Sequence, residues 1–218
     1  MKYPMVFKRL RVICFSVALL AGGVVSGQAV TSPSSLIVKV FEMRVSKNSD
    51  CSGAVTVFKT ASASSIDLVG IPTMGSGSIT DGTYHCAMFH ISDFVTVTPQ
   101  VPQGSCVAGP NAIDIFINPV DDESITPEGT LIHGSAGEDD PWIYFSDSAS
   151  AASVNDCFQP TTQCACSGPC PLTPMTLAAN QTHTLVFDLD SKIDGSGGTC
   201  ALLLPHAGSG RQTVLSIR

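Results

Sequence analysis

Residues 36–46 read Leu-Ile-Val-Lys-Val-Phe-Glu-Met-Arg-Val-Ser and form the longest strand-like stretch of the chain. β-branched and aromatic side chains of this kind fit a pleated sheet. Gly, Ser, Thr and Pro residues separate this stretch from further short apolar runs, which is typical of strands joined by turns. The predicted strands are Leu36–Ser46, Ala54–Phe58, Ile66–Val69, Thr83–Ile91, Phe94–Thr98, Ile113–Ile117, Thr130–His133, Trp142–Phe145, His183–Leu189, Cys200–Leu204 and Gln212–Ile217.

The apolar pattern within these runs indicates how they are buried. Leu185, Phe187 and Leu189 alternate with Thr184 and Asp188, which predicts one buried and one exposed face. Ile113–Ile117 and Leu202–Leu204 are apolar on both sides, which favours central strands. Convincing helical periodicity is absent after residue 29. We therefore predict an all-β fold, a single antiparallel β-sandwich domain with long loops over residues 30–218.

The first 29 residues have the composition of a signal peptide. Four basic residues precede an apolar run over residues 12–25, and small residues follow at Ser26–Ala29. The run has about 14 residues, which is short of the roughly 20 needed to cross a bilayer. We expect cleavage after Ala29, no membrane span after cleavage, and a secreted, periplasmic or cell-surface location.

The charge of the mature chain is strongly acidic. Four of the 11 Lys and Arg residues lie in the signal and all 18 acids lie outside it, which leaves a net charge of −11. Lys and Arg are absent from Ala61 to Ser191. Such a surface repels nucleic acid and anionic lipid, so neither is an expected partner. A basic partner or a cation is compatible with it, and so is a purely solubilising role.

Eight cysteines remain after signal cleavage, and an even number in an exported chain predicts disulfides. The sequence does not choose among their pairings. Residues 155–174 hold four of the eight together with four prolines, which predicts a stapled, cysteine-rich loop. Zinc is disfavoured there, because a Cys-x-x-Cys pair is missing and export disfavours free thiolates. The predicted disulfide residues are Cys51, Cys86, Cys106, Cys157, Cys164, Cys166, Cys170 and Cys200.

Carboxylates at alternate positions suggest calcium as a candidate cofactor. Asp188, Asp190 and Asp194 run into a glycine-rich turn, and hard oxygen ligands at this spacing suit Ca²⁺. Acidic groups at residues 121–123 and 138–140 are alternatives. The segment Asp121–Asp140 as a whole is acidic and rich in turn formers, which predicts a long surface loop. The competing interpretation of each group is a solvated acidic loop.

A second metal hypothesis concerns the predicted strand Thr83–Ile91. Strand alternation places Cys86, Met88 and His90 on one face and His85 on the other. A thiolate, a thioether and an imidazole together suit copper. The competing interpretation is a disulfide-bonded Cys86, a core methionine and an ordinary strand histidine.

Evidence for catalysis is thin. His133-Gly134-Ser135-Ala136-Gly137 differs from a nucleophile elbow at its first position, and the residues that follow favour no helix. A hydrolase would need His133 or His183 beside a carboxylate and a serine. A glycosidase would need two carboxylates, but one Trp and three Tyr residues offer little stacking surface for sugar. No catalytic residue is assigned.

Several short segments resemble a group of bacterial surface proteins of unknown function that have a transthyretin-type, carbohydrate-binding-like sandwich. In that group a Gly-Thr-Tyr turn opens a strand and a late strand ends in a Phe-Asp-like run. The cysteine-dense loop departs from the group's pattern. The resemblance implies a fold and a cell-surface location, and no catalytic residue. The matching segments are Leu36–Ser46, Ile66–Val69, Asp81–Tyr84 and Thr184–Ser191.

These observations favour a secreted or cell-surface structural or interaction protein, acting in binding or adhesion without catalysis. Its partner is a carbohydrate, a protein or a second copy of the chain, met through loops or a sheet edge. One alternative is an exported hydrolase of envelope or extracellular polymer. Another is a periplasmic metal-binding protein that uses His85, Met88 and His90.

Overall fold

The computed structural model describes residues 30–63, 65–69, 78–117, 123–147, 170–172, 174–178, 181–202 and 215–217. Within these ranges the chain forms β-strands and no helix, which confirms the all-β prediction. The predicted signal and most of the cysteine-rich loop lie outside them. The strands are β1 Val30–Thr31, β2 Pro33–Ser46, β3 Val55–Lys59, β4 Ser65–Asp67, β5 Gly82–Tyr84, β6 Cys86–Ile91, β7 Phe94–Pro99, β8 Asn111–Asp114, β9 Glu123–Ile125, β10 Leu131–His133, β11 Trp142–Ser146, β12 Cys170–Pro171, β13 Met175–Leu177, β14 Leu185–Phe187, β15 Ile193–Asp194, β16 Ala201–Leu202 and β17 Leu215–Ile217.

The long strand β2 is the centre of the main sheet. Its C-terminal half pairs with β3 and β6, and its N-terminal half pairs with β4 and β7. β11 lies beyond β6 and is followed by β12, whereas β8 lies beyond β7. We call β3, residues 40–46 of β2, β6, β11 and β12 the upper half. The lower half comprises β4, residues 33–39 of β2, β7 and β8.

The two halves meet where the strand beside β2 is interrupted. β6 and β7 follow the same side of β2 and are separated by Ser92 and Asp93. The pairing of β2 with β6 shifts register between Val40 and Glu42 at this level, and the Ser92 amide donates to the Lys39 carbonyl at 3.0 Å. Described strand pairs are antiparallel apart from β11 with β12, which is parallel.

One face of the main sheet, the inner face, builds the hydrophobic core. Smaller sheets, β5 with β13 and β1 with β15 and β16, supply apolar side chains that pack in the same core cluster. This packing of sheet on sheet is the predicted sandwich. The inner-face residues of the main sheet are Leu36, Val38, Val40, Met43, Val45, Ala87, Phe89, Val95, Val97, Ile113, Ile143 and Phe145.

Two disulfides close long loops. Cys51 pairs with Cys86 across 35 residues, and Cys106 pairs with Cys200 across 94. In the chain-entropy description such loops contribute about 4 and about 5 kcal/mol of stability. Near the second bridge the backbones cross so closely that a Cβ on Gly195 would lie 1.8 Å from the Gln103 carbonyl oxygen. The disulfides indicate an oxidising environment outside the cytoplasm.

Three details of the predicted strands are wrong. The expected surface loop Asp121–Asp140 contains the unpredicted strand β9, whose Ser124 is buried, whereas β10 confirms the predicted strand Thr130–His133. The run Thr83–Ile91 is interrupted at His85. Ile113–Ile117 and Leu202–Leu204 were expected in central strands, but β8 and β16 end their sheets in the described part of the chain. Their apolar residues face the core from an edge.

Among the described residues no helix has the length and hydrophobicity that a membrane crossing requires.

Candidate functional site on the outer face of the main sheet

The outer face of the upper half carries a row of polar and aromatic side chains. Strand register aligns Trp142 of β11 with His90 of β6, His90 with Glu42 of β2, and Glu42 with Lys59 of β3. Arg44 follows two positions after Glu42 and therefore shares its face. We call these five residues the charged array. It gathers an acid, two permanent cations, an imidazole and an indole.

Glu42 is the buried anion of the charged array. Its two carboxylate oxygens accept from Arg44 Nε at 2.5 Å and from Lys59 Nζ at 2.8 Å. Burial by itself raises the pKa of Glu42, but the hydrogen bonds from Arg44 and Lys59 outweigh burial and lower the pKa. Glu42 is therefore an ionised structural partner of two cations, which does not suit a general acid.

Arg44 links the sheet to the hairpin. Its guanidinium lies over the Trp142 ring, 5.0 Å from the ring centroid, and its Nη1 donates to Glu128 at 2.7 Å. Glu128 belongs to the turn between β9 and β10. The contacts on Nε, on Nη1 and on the guanidinium face fix the orientation of the group.

His90 occupies the centre of the charged array. Its ring stacks on Trp142 with centroids 5.1 Å apart and planes 6° apart, and Phe41 contacts it at 5.1 Å. Burial lowers the pKa of His90, and the nearby Asp140 charge only partly opposes this. The imidazole is therefore neutral at neutral pH, and it serves as a packed aromatic surface.

The hairpin β9–β10 covers the upper half of the outer face. The Trp142 amide donates to Ser124 Oγ at 2.8 Å, and the Ser124 hydroxyl donates to the Trp142 carbonyl at 3.0 Å. The Tyr144 hydroxyl donates to the Ile125 carbonyl at 2.6 Å. Beneath this cover a second apolar cluster forms from Cys51, Cys86, Met88, Trp142 and Tyr144.

The lower half of the outer face is open. Ile37 and Phe94 are 37% and 42% exposed. In register, Ile37 lies opposite Thr96 and Phe94 lies opposite Asp114. Two large apolar side chains are thus exposed on this face, opposite the shorter polar side chains of Thr96 and Asp114.

A fully buried aspartate lies between the two halves. Asp93 Oδ2 accepts from the Asp139 amide at 3.0 Å, whereas Oδ1 has no hydrogen-bond partner among the described residues. Burial raises the pKa of Asp93, and the charge of Asp114 adds to the effect. Burial likewise raises the pKa values of Asp114 and Asp140. The hydrogen bond from the Asp139 amide to Asp93 anchors the segment that leads into β11. The burial of Asp93, Asp114 and Asp140 disfavours their charged forms and is the electrostatic cost of this arrangement.

The structure gives other partners to the residues of the copper hypothesis. Cys86, Met88 and His90 share one face as expected, but Cys86 is disulfide-bonded and supplies no thiolate. Met88 is fully buried and His90 stacks on Trp142. His85 leaves the strand and pairs through Nδ1 with Asp147 at 2.5 Å. The predicted copper ligands therefore take part in the disulfide, the apolar cluster, the aromatic stack and a hydrogen bond.

The aspartates predicted to bind calcium make local bonds. Asp188 accepts from the Asp190 amide at 3.1 Å, Asp194 accepts from the Ser196 amide at 2.7 Å, and Asp190 accepts from the Ser32 hydroxyl. In the described ranges no three His, Cys, Asp or Glu side chains are grouped to hold a metal ion. Calcium binding stays a prediction, without a convergent set of carboxylates to support it.

The residues considered for hydrolysis also have defined partners. The Ser135 hydroxyl donates to Asp139, and His183 Nε2 accepts from the Ala178 amide at 3.0 Å. His133 lies at the end of β10. The hydrolase and metal-binding alternatives stay predictions.

Four predicted disulfide residues are not placed in bridges. Cys157, Cys164 and Cys166 lie outside the described residues. Cys170 begins β12, and the structure describes only its backbone.

Sequence reasoning missed the charged array. A usable signal existed, because Glu42 and Arg44 stand two apart in an apolar strand and must share a face. The contributions of Lys59, His90 and Trp142 depend on strand register, which their spacing along the chain does not reveal.

Comparison of the chain with known protein families, curated proteins and solved structures finds no match. The resemblance to transthyretin-type surface proteins stays a prediction.

Proposed function

We propose that this is a secreted or surface-displayed, non-catalytic interaction protein that binds a protein partner through the open part of its outer face. The observation that carries the proposal is the exposure of Ile37 and Phe94 on the lower half of the main sheet. An apolar centre with a polar surround is the usual composition of a protein-binding surface.

Export is supported by two independent features. Residues 1–29 have the composition of a cleavable signal, and two disulfides tie the folded chain. Disulfides persist in oxidising compartments, where a protein on display meets its partners.

A non-catalytic role is supported by the way in which the reactive side chains are used. Glu42 neutralises two cations, His85 pairs with Asp147, and Ser135 donates to Asp139. A catalytic serine would need a stronger base, such as a histidine or lysine side chain, to accept its proton, whereas Ser135 contacts a carboxylate.

The test is site-specific photocrosslinking in the cells that make the protein. A photoreactive amino acid replaces Phe94 in one variant and Ile37 in another. The matched control replaces Leu131, which is 44% exposed but lies on the hairpin β9–β10. We expect a discrete crosslinked protein from positions 94 and 37 and not from 131.

Two outcomes would contradict the proposal. One is the absence of adducts at positions 37 and 94 in folded, exported protein. The other is the same adducts at all three positions, which would indicate random contact. An adduct with the mass of two copies would identify self-assembly as the interaction.

A further inference from the structure

We propose that the protein bound at the open lower half is a separate, basic protein, whose arginine side chain contacts Phe94 and Asp114 while an apolar residue packs on Ile37. This partner chemistry rests on the proposed function and makes it more specific. The partner is then a protein other than a second copy of this chain.

Phe94 and Asp114 are neighbours on the outer face. They lie directly opposite each other in β7 and β8. One position further along the ladder, the Ile115 amide donates to the Asp93 carbonyl at 3.0 Å. Because hydrogen-bonded and non-hydrogen-bonded pairs alternate in an antiparallel ladder, Phe94 and Asp114 form a non-hydrogen-bonded pair, in which the side chains are closer. One group of a partner can therefore contact both.

Ile37 adjoins this pair. It lies opposite Thr96 of β7, and Phe94 precedes Thr96 by two positions on the same face. Such diagonal neighbours in a sheet are about 7 to 8 Å apart. Ile37, Phe94 and Asp114 therefore lie side by side, with a carboxylate at the margin of an exposed apolar pair.

The Asp114 carboxylate has an oxygen available for a cation. Its Oδ1 accepts from the Phe116 amide at 3.2 Å, whereas Oδ2 has no hydrogen-bond partner within the described ranges. Burial raises the pKa of Asp114, and the charge of Asp139 adds to the effect. A guanidinium beside Asp114 offsets this repulsion and favours the ionised carboxylate. Because a guanidinium is planar, it stacks on an aromatic ring such as Phe94 while its edge donates to a carboxylate.

The surroundings of Asp114 are negatively charged. Burial raises the pKa of Asp93, and the charges of Asp114 and Asp140 raise it further. β7 and β8 contain no Lys or Arg, and Lys39 is the one cation in the strands of the lower half. Lys39 already lies 3.8 Å from Glu138. Electrostatic attraction at this face therefore favours a basic partner.

The same charges disfavour a second copy of the chain as the partner. Asp67, which lies opposite Ile37 in β4, adds another carboxylate to the outer face. The chain after residue 29 carries a net charge of −11, so two copies repel each other. Two copies that met through this face would bring carboxylates together with Lys39 as the one strand cation on each side. The opposite charge is therefore expected from a different protein.

The experiment is photocrosslinking from position 37 of the full chain, in the cells that make the protein. The photoreactive amino acid replaces Ile37, and the adduct yield is measured per amount of exported, oxidised protein. This chain is compared with versions that also carry Asp114→Asn, Asp114→Lys, Phe94→Leu or Phe94→Tyr. Mass spectrometry identifies the captured protein.

The matched control for net charge is Asp188→Asn. Asp188 is exposed and follows β14, whose Phe187 packs on Phe89 from the inner face of the main sheet. The control therefore removes the same charge as Asp114→Asn, but on the opposite side of the sheet from Ile37.

We expect Asp114→Asn to lower the adduct yield by about fivefold to tenfold, because the partner's arginine loses a charged acceptor. The asparagine still accepts from the Phe116 amide, so the fold is kept. Asp114→Lys should abolish the adduct through like-charge repulsion. Phe94→Leu should lower the yield by about twofold to fivefold, because it removes the aromatic ring, and Phe94→Tyr should retain it. Asp188→Asn should leave the yield unchanged.

Several outcomes would overturn the inference. Equal losses in Asp114→Asn and Asp188→Asn would show general electrostatics alone. An undiminished adduct in Asp114→Lys would exclude a cation at Asp114 and would leave the proposed function standing. An adduct with the mass of two copies would assign the surface to self-assembly. The absence of any adduct from position 37 in the otherwise unchanged chain would refute the proposed function together with this inference.

Discussion

The outward side chains of β2 have different environments in the two halves of the main sheet. Ile37 and Lys39 in the lower half are exposed, whereas Glu42 and Ser46 in the upper half are buried. The inward residues of both halves are buried alike. The difference arises from the hairpin β9–β10 and from the loop that Cys51 ties to β6, which cover the upper half alone.

The ion pairs in the two halves differ because the hairpin β9–β10 covers only the upper half. In the covered half, the buried Glu42 pairs with two cations, and the guanidinium of Arg44 is held in a fixed orientation. In the open half, Lys39 makes a loose contact of 3.8 Å with Glu138, and the apolar Ile37 stays available to a partner. One strand thus contributes both to a stabilising network and to the surface proposed for binding.

The largest expected effect is from removal of the Cys51–Cys86 bridge. Replacing both residues by serine should lower the free energy of unfolding by about 4 kcal/mol, because a 35-residue loop is no longer closed. The loss should also loosen the cover of the upper half and raise acrylamide quenching of Trp142. Urea unfolding and fluorescence measure the two effects. Unchanged quenching would show that the hairpin alone maintains the cover.

The next prediction compares the free energy of unfolding after loss of a cation in the covered half with that after loss of a cation in the open half. Arg44→Ala should cost about 3 kcal/mol, because a buried glutamate loses a partner. Lys39→Ala should cost less than about 0.5 kcal/mol, because its ion pair is exposed. Urea unfolding at pH 7 measures both. Equal costs would contradict the contrast between the halves.

The smallest effect concerns pH at the boundary between the halves. Burial raises the pKa of Asp93 above its ordinary 3.8, so its protonated form stabilises the fold at low pH, and this contribution is lost as pH rises through the folded value. Asp93→Asn keeps an acceptor for the Asp139 amide but does not ionise. Its stability relative to wild type should therefore increase from pH 3.5 to pH 6.5, as measured by urea unfolding.

Asp67 in the lower half provides the opposite control. Burial raises the pKa of Asp67, but hydrogen bonds from the Leu36 amide and the Ser35 hydroxyl outweigh burial and lower it. Its stabilising contribution is present above 3.8 and is lost as pH falls. The stability of Asp67→Asn relative to wild type should decrease with rising pH. The same trend in both variants would refute the assignment.

Much of the fold was predictable from local patterns. Strand composition located β2, β7 and β11 to within a few residues, because β-branched and aromatic residues between turn formers strongly favour strands. β9 escaped prediction, because its three residues carry little pattern of their own. They form a strand only where β10 and Trp142 supply hydrogen bonds.

Local sequence is sufficient for the all-β class, for the cysteine content that leads to disulfides, and for the faces shared by alternate residues such as Glu42 and Arg44. These properties depend on composition and on the two-residue period of a strand. The folded arrangement was needed to establish which cysteines pair, which outward face is covered, and that Lys59, His90 and Trp142 line up beside Glu42. Strand register and the covering hairpin bring together residues that are far apart in the chain, and the local sequence pattern does not specify which distant residues will meet.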